Sequence, residues 1–595
     1  MKKNIYLFLF GVILFSSNTL FAQAKKYPLF EHFTQASCGP CAAQNPFFQA
    51  VYVANKSNVH HIAYHTSWPG FDPMYNFNMS ESDAMVDYYG VSGVPDMIVN
   101  GAEFGSPAGV TQDVVNNLLS ESSPIRVLVT ETVAGSTVNV HIEVQTLGTI
   151  PAGTYKIKAA AIERIIEYAS APGTNGELDF PNVFRESLTG TDGDAITPAA
   201  VGSSVSFDYS YELVADYVAE NMYAIAWVQN VSSKDILNSG ASGDPQVEVV
   251  NMTAATFAQG TIGAANAFEG NIINIGDANA NIEITLAASQ PADWSSDFVY
   301  NGTTYTTTAS ASINALSELP IDLNVNVGAT SGIGEYTITV EFPDNPEFMP
   351  QVLSYYVISG VTDLIVNNEV SFGDGTPYGT YNWESLYADA LNAAGVSTYA
   401  ATSHFTMKKG FSSNSLDDIE NIYYNVGWTF PGLVDDEIKI EQLMEFLDNG
   451  GNLFISGQDI GWEVNEYAAF YPQAVDFYEN YLHATFVNDA ASGATTLTAV
   501  VDETWYGDIA ESEISKPYGT TYYYPAQIEA NGADAFDIFT YNAGTQAGGA
   551  RSETADYKTV YLGIGIEMIA DNNIRNAIME ATYLYFKGNI DGIAY

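Results

Sequence analysis

Three textures of apolar and polar positions follow one another along the chain. Residues 27–33 (YPLFEHF) are apolar and aromatic enough for a buried strand, 42–55 carry Phe47, Phe48 and Val51 at helical spacing, and 58–65 (NVHHIAYH) alternate like a second strand. After Ser120 the period becomes two: 126–130, 138–144 and 223–229 read as strands between Gly, Ser and Thr turns, which predicts a β-sandwich. A second β region follows from 256 to 360, clearest at 280–286 and 334–340. It has few titratable groups and no His, which suits a spacer better than an adhesive module. From Val361 strands at 363–366 and 453–457 alternate with helices at 382–394, 438–449 and 575–587, the pattern of a sheet with both faces covered. The expected divisions are 25–120, 121–255, 256–360 and 361–595.

Charge changes the picture. The 595 residues include 19 Lys and Arg against 70 Asp and Glu, a formal charge of −51, so nucleic acid is excluded as a partner. Charged residues are only 15% and apolar ones 47%, which is a folded composition. The start reads as an export signal over 1–24: a basic Met1-Lys2-Lys3-Asn4, an apolar run 5–15, and small Ala22 and Ala24 around a cleavage site. That run is well short of the ~20 residues a spanning helix needs, and no later stretch is long enough, so no membrane insertion of the mature chain is expected. The expected location is the periplasm, cell envelope or exterior.

The only two cysteines are Cys38 and Cys41. A bridge over two intervening residues removes little loop entropy, so the spacing suits a redox pair at a helix start better than a staple. With the strand before CGPC, the helix after it, and Gly93-Val94-Pro95 before a strand at 96–99, residues 25–120 resemble the thioredoxin family. HFTQASCGPC, HTSWPGFDPM and YYGVSGVPDMIVNG resemble an exported, outer-membrane-protein-related group within it. The resemblance implies that Cys38 attacks, Cys41 resolves, and Val94 with a cis Pro95, beside Gly39 and Pro40, receives the substrate. Ser37 stands where that family carries an aromatic residue, and His32 where it carries a buried acid. His32 then accepts the Cys41 proton, or is a hydrogen-bonded core histidine. His60, His61 and His65 suggest no metal site, since on a strand His60 faces away from the other two.

In the last region, residues 446–461 (FLDNGGNLFISGQDIG) resemble the class I glutamine-amidotransferase-like domain. The family's Cys nucleophile is missing, and His404 and His483 are not in its His-x-Glu arrangement, which implies a degenerate domain. Ser456 as a substitute nucleophile has no activating base, and Asp459 and Glu463 are either ligand groups or a solvated acidic loop.

The expected fold class is multidomain α/β plus all-β: a thioredoxin fold, two immunoglobulin-like β-sandwiches, and a C-terminal three-layer α/β domain with a mostly parallel sheet. The expected function is thiol-disulfide exchange through CGPC, with no cofactor, protein thiols or disulfides as partners and a membrane electron donor. The alternative is a non-catalytic envelope or secreted binding protein; hydrolysis by the C-terminal domain stands third.

Overall fold

The computed structural model describes residues 23–589, except 277, 347, 369–381, 429–432, 434–436, 470, 490, 492 and 521. The expected export signal lies almost wholly outside the described residues. Ala24, at its end, pairs with Ser123.

The first half is built on one nine-stranded sheet. The strands used here are β1 (Leu29–Thr34), β2 (His60–His65), β3 (Asp96–Val99), β4 (Ala102–Gly105), β5 (Ile125–Ala134), β6 (Thr137–Thr146), β7 (Tyr155–Glu167), β8 (Asp179–Ser187), β9 (Ser203–Glu212), β10 (Met222–Asn230) and β11 (Ile236–Ala241). Helix α1 (Gly39–Asn55) joins β1 to β2, which run parallel. The sheet order is β11-β10-β7-β8-β2-β1-β3-β4, with Asp194–Ile196 paired to β7. The sheet therefore crosses position 120, where the hydrophobic texture changes. Strands β7 and β10 are buried on both faces: Ile157, Ala159 and Ala161 meet β5, β6 and β9 across a sandwich core, while Ala160 and Ile162 pack with Leu29, Phe33 and Tyr64. That double burial explains the near-continuous apolar run in β7.

The segment Asn182-Val183-Phe184-Arg185, which reads as part of a long loop, lies in β8. Pro181 and the left-handed Asn182 (φ 51°) give it a loop-like sequence, yet Val183 pairs with Ala63 in parallel. A second sandwich between Val247 and Ser359 packs two five-stranded sheets over Phe268, Phe298, Ile338 and Tyr355. Arg126 of β5 reaches into it, donating from Nε and Nη2 to the buried Glu248 at 2.7–3.0 Å.

The C-terminal region holds an eleven-stranded sheet between two apolar layers. β12 (Asp363–Asn367), β13 (Tyr399–Ser403), β14 (Asn421–Gly427), β15 (Asn452–Gly457) and β16 (Lys558–Leu562) run parallel in the order β13-β12-β14-β15-β16. The remaining strands join antiparallel, beginning with Ala547–Glu553 beside β16, so the sheet is mixed where a mostly parallel one was expected. The molecule as a whole is a mostly β, multi-sheet, multidomain chain; a thioredoxin fold is not shown.

Candidate functional site

Two places carry the chemistry that the sequence suggested. The first is the start of α1. Cys38 is the helix N-cap, its sulfur accepting from the Cys41 amide at 3.0 Å, and the two cysteines form a disulfide. Cys38 Sγ lies 3.5 Å from the Val94 carbonyl oxygen. Gly39 and Pro40 are exposed, Val94 and Pro95 half-buried, and the Trp68–Pro69 and Val94–Pro95 peptides are cis. The cysteines themselves are sealed: Cys38 is 1% exposed and Cys41 0%.

A strap from the loop between β7 and β8 is bonded to the turn that carries Cys38. Thr174 donates from its amide to Ser37 Oγ (3.1 Å) and from its hydroxyl to the Ser37 carbonyl (3.4 Å). Asn175 donates from Nδ2 to the carbonyls of Gln35 and Cys38, both at 3.2 Å, and from its amide to that of Ala36. Gly173 is obligatory here, because a Cβ would stand 2.0 Å from the Ala36 carbonyl oxygen. On the other side Ser37 Oγ donates to the Phe71 carbonyl (2.8 Å). A thiolate must reach a sulfur to exchange with it, and both cysteines are buried.

Asp72, which the sequence reading passed over, ties the region together. It caps the short helix Pro73–Phe77, accepting from the amides of Met74 and Tyr75, and also accepts from the Ala36 amide (2.7 Å) and faces His65 Nδ1 (2.7 Å). Burial opposes its charge, yet His65 and those amides hold its carboxyl below the usual range. The Asp-Pro pair, an N-cap before Pro at the first helical position, was the signal available in sequence.

His32 lies under α1, edge-on to Phe48 and 5.7 Å from His61. Burial, with His65 nearby, pushes its pKa down to about 3, so it is neutral at ordinary pH. His61 and His65 share that face while His60 turns away to Ser239 and Asp244. Among the described residues no cluster of His, Cys, Asp and Glu is arranged to hold a metal ion.

The second place is the carboxyl edge of β14, β15 and β16. Ser456 is buried, its hydroxyl 2.6 Å from Tyr387 OH and accepting from the Ile566 amide, with no imidazole among its partners. Asp459 sits on the turn after β15 with φ 68° and precedes α2 (Ile460–Glu466). Trp428 Nε1 donates to it at 2.7 Å. Burial and the facing Asp489 carboxyl push its pKa up to about 8. Glu463 is buried and accepts from the Leu433 amide rather than standing in a solvated loop. Glu567 is wholly buried; Tyr518 OH donates to it (2.9 Å) and itself accepts from Trp383 Nε1 (3.0 Å). Burial pushes Glu567 up to about 7. The carboxyl edge of parallel strands is the usual place for a ligand in such sheets, but among the described residues a nucleophile with its base is not assembled there. His404 begins the helix His404–Ser412, and His483 lies beside Tyr557.

Residues 82–242 match the model of the outer membrane protein Omp28 family. Three solved structures are similar to the chain. HBP35 of Porphyromonas gingivalis is 14% identical, with 56% of this chain and 98% of that one covered, at a TM-score of 0.32. A domain of the outer membrane lipoprotein Omp28 from Porphyromonas gingivalis is 14% identical over 20% of this chain and 87% of that one, at 0.16. The N-terminal domain of PorA is 12% identical over 19% and 97%, at 0.15. At these TM-scores the likenesses carry no argument about function. No curated protein matches the chain.

These findings correct the resemblances drawn at the two ends. The match is to Omp28, not to thioredoxin or to a glutamine amidotransferase, and it begins at Ser82, beyond Cys38 and Cys41. The thiol-disulfide oxidoreductase reading is corrected with them: the family match is to an outer membrane protein family, and both cysteines are buried. The roles of Cys38, Cys41 and His32 in exchange, and of Gly39, Pro40, Val94 and Pro95 in holding its substrate, belonged to that reading. An envelope location is the coarse statement that the match supports.

Proposed function

We propose that this chain is a non-catalytic protein of the cell envelope that holds a ligand or partner rather than transforming one. The observation that carries this reading is the buried disulfide: the only pair of groups in the sequence with obvious reaction chemistry has both cysteines almost wholly withdrawn from solvent. The buried Ser456, without an imidazole partner, supports it at the other end of the chain. Export by the leader at 1–24 and residence in the periplasm or beyond belong to the same proposal, as does the absence of nucleic acid among the partners, given the charge of −51. Among the described residues no helix is long and apolar enough to cross a membrane.

The test is thiol exchange on the native full chain. After incubation with a reduced and oxidised glutathione mixture, acid quench and alkylation, the mass should show neither free thiol nor glutathione adduct over an hour at neutral pH. Exchange within seconds, or catalysed reduction of insulin disulfides, would overturn the reading.

A further inference from the structure

A cleft of about 490 Å³ lies between the C-terminal half of α1, strands β7, β8 and β10, and Phe348 of the second sandwich. Junctions of this kind are where ligands are most often held. In a chain with 19 basic residues against 70 acidic ones, two of the 19 line this cleft: Lys56 and Arg164. Both are exposed, and among the described residues neither has a carboxylate within ion-pair distance. Lys56 is the C-cap of α1. Arg164 lies over the Tyr223 ring, its guanidinium carbon 4.3 Å from the centroid, and its five N–H donors exceed what a ring face can engage.

The acidic groups near the cleft are already engaged. Asp244, which lines it, accepts from the Ala241 amide (2.8 Å) and faces His60 Nε2 (3.0 Å). Glu131, which interacts with Arg164 from beyond ion-pair distance, accepts from Ser242 (2.7 Å) and Tyr211 (3.1 Å). The floor is fixed and polar: Tyr223 OH donates to Asn182 Oδ1 (2.9 Å), and Asn182 Nδ2 reaches His61 Nδ1 (3.0 Å). Val53, Ile165, Pro181 and Phe348 give the wall an apolar part. The field of the acidic surface is screened over about 8 Å at physiological ionic strength, so the two local cations decide what enters.

We propose that this cleft binds an organic carboxylate, with its apolar body against Val53, Ile165 and Phe348 and its charge on Arg164 and Lys56. A bare inorganic anion would leave most of the volume and the apolar wall unused, and an uncharged apolar molecule would leave both cations unanswered. The proposal deepens the reading of the chain as a binding protein and rests on it.

The experiment is calorimetric titration of the native full chain with 3-phenylpropionate, and with 3-phenylpropan-1-ol as its uncharged counterpart. Saturable binding of the acid, none of the alcohol, and affinity about tenfold weaker in Arg164→Gln and in Lys56→Gln is the expected result, since each variant removes one charge-assisted contact from a partly exposed site. Both side chains are exposed and, among the described residues, free of ion pairs, so the variants should fold as the parent does. No saturation at millimolar acid, equal binding of acid and alcohol, or unchanged affinity in both variants overturns the site. Those failures leave the non-catalytic reading intact if the disulfide is unreactive; a reactive disulfide overturns that reading whatever the cleft does.

Discussion

Gly173→Ala should open the disulfide to reduction. Gly173 adopts a backbone that alanine can share, so the effect is confined to the added methyl group, which would stand 2.0 Å from the Ala36 carbonyl oxygen and 2.8 Å from Ser37 Oγ. Neither a backbone carbonyl nor the turn that carries it can give by that much, so the strap must lift. Five hydrogen bonds hold it down at residues 174 and 175. At the low end of ~0.5–1.5 kcal/mol each, because the strap is partly exposed, their loss is worth about 2–3 kcal/mol. If reductant reaches sulfur only through the lifted state, the rate follows the population of that state, and the gain is about 30- to 150-fold. The assay is dithiothreitol reduction under native conditions, with timed alkylation and thiols counted by mass, and far-ultraviolet circular dichroism to show that the fold is kept. Reduction rates within twofold of each other would refute the strap as the gate.

The buried pair between the first and second sandwiches should be costly to break: Arg126→Met leaves Glu248 without its guanidinium partner, and a loss of about 3–5 kcal/mol in thermal or urea unfolding is expected, largely restored by adding Glu248→Leu. Glu567 has a folded pKa of about 7 against an ordinary 4.5, so the folded state holds the proton longer and stability falls as pH rises through that interval. Glu567→Gln should remove that slope and raise stability above pH 7 by up to about 3 kcal/mol, read as melting temperature against pH. Asp459→Asn keeps an acceptor for Trp428 Nε1 and suits the left-handed backbone, while removing the charge held up to about 8 by burial and Asp489. Its melting temperature should match that of the parent near pH 4 and exceed it by a growing margin as pH rises toward 8.

Local features were legible in the sequence because they are local. Cys38-Gly39-Pro40-Cys41 announced a helix start, and the structure puts Cys38 at the N-cap. Alternation located the strands of both sandwiches, and the strand-helix texture after Val361 located β12 and β15. What periodicity cannot supply is the neighbour. It marks Ala159, Ala160 and Ala161 as apolar, but not that the two faces serve different cores within one sheet that crosses position 120. Nor does it distinguish parallel from antiparallel partners, so the strands Ala535–Tyr541 and Ala547–Glu553, which make the last sheet mixed, were not foreseen. The strap was invisible for a related reason: Gly173, Thr174 and Asn175 look like any turn, and their meaning lies in a contact with residues far earlier in the chain. Lys56 and Arg164 are likewise far apart along the chain, two ordinary surface cations until the fold sets them on one cleft.

That distance along the chain also fixes an order of events. Ser37 and the Thr174 that covers it are 137 residues apart. A chain emerging N-terminus first presents Cys38 and Cys41 to whatever oxidises them well before its own cover has been delivered. Until residues 173–175 arrive, the turn that carries Cys38 lacks the hydrogen bonds they supply. The bond is then made on a looser turn than the one that later holds it.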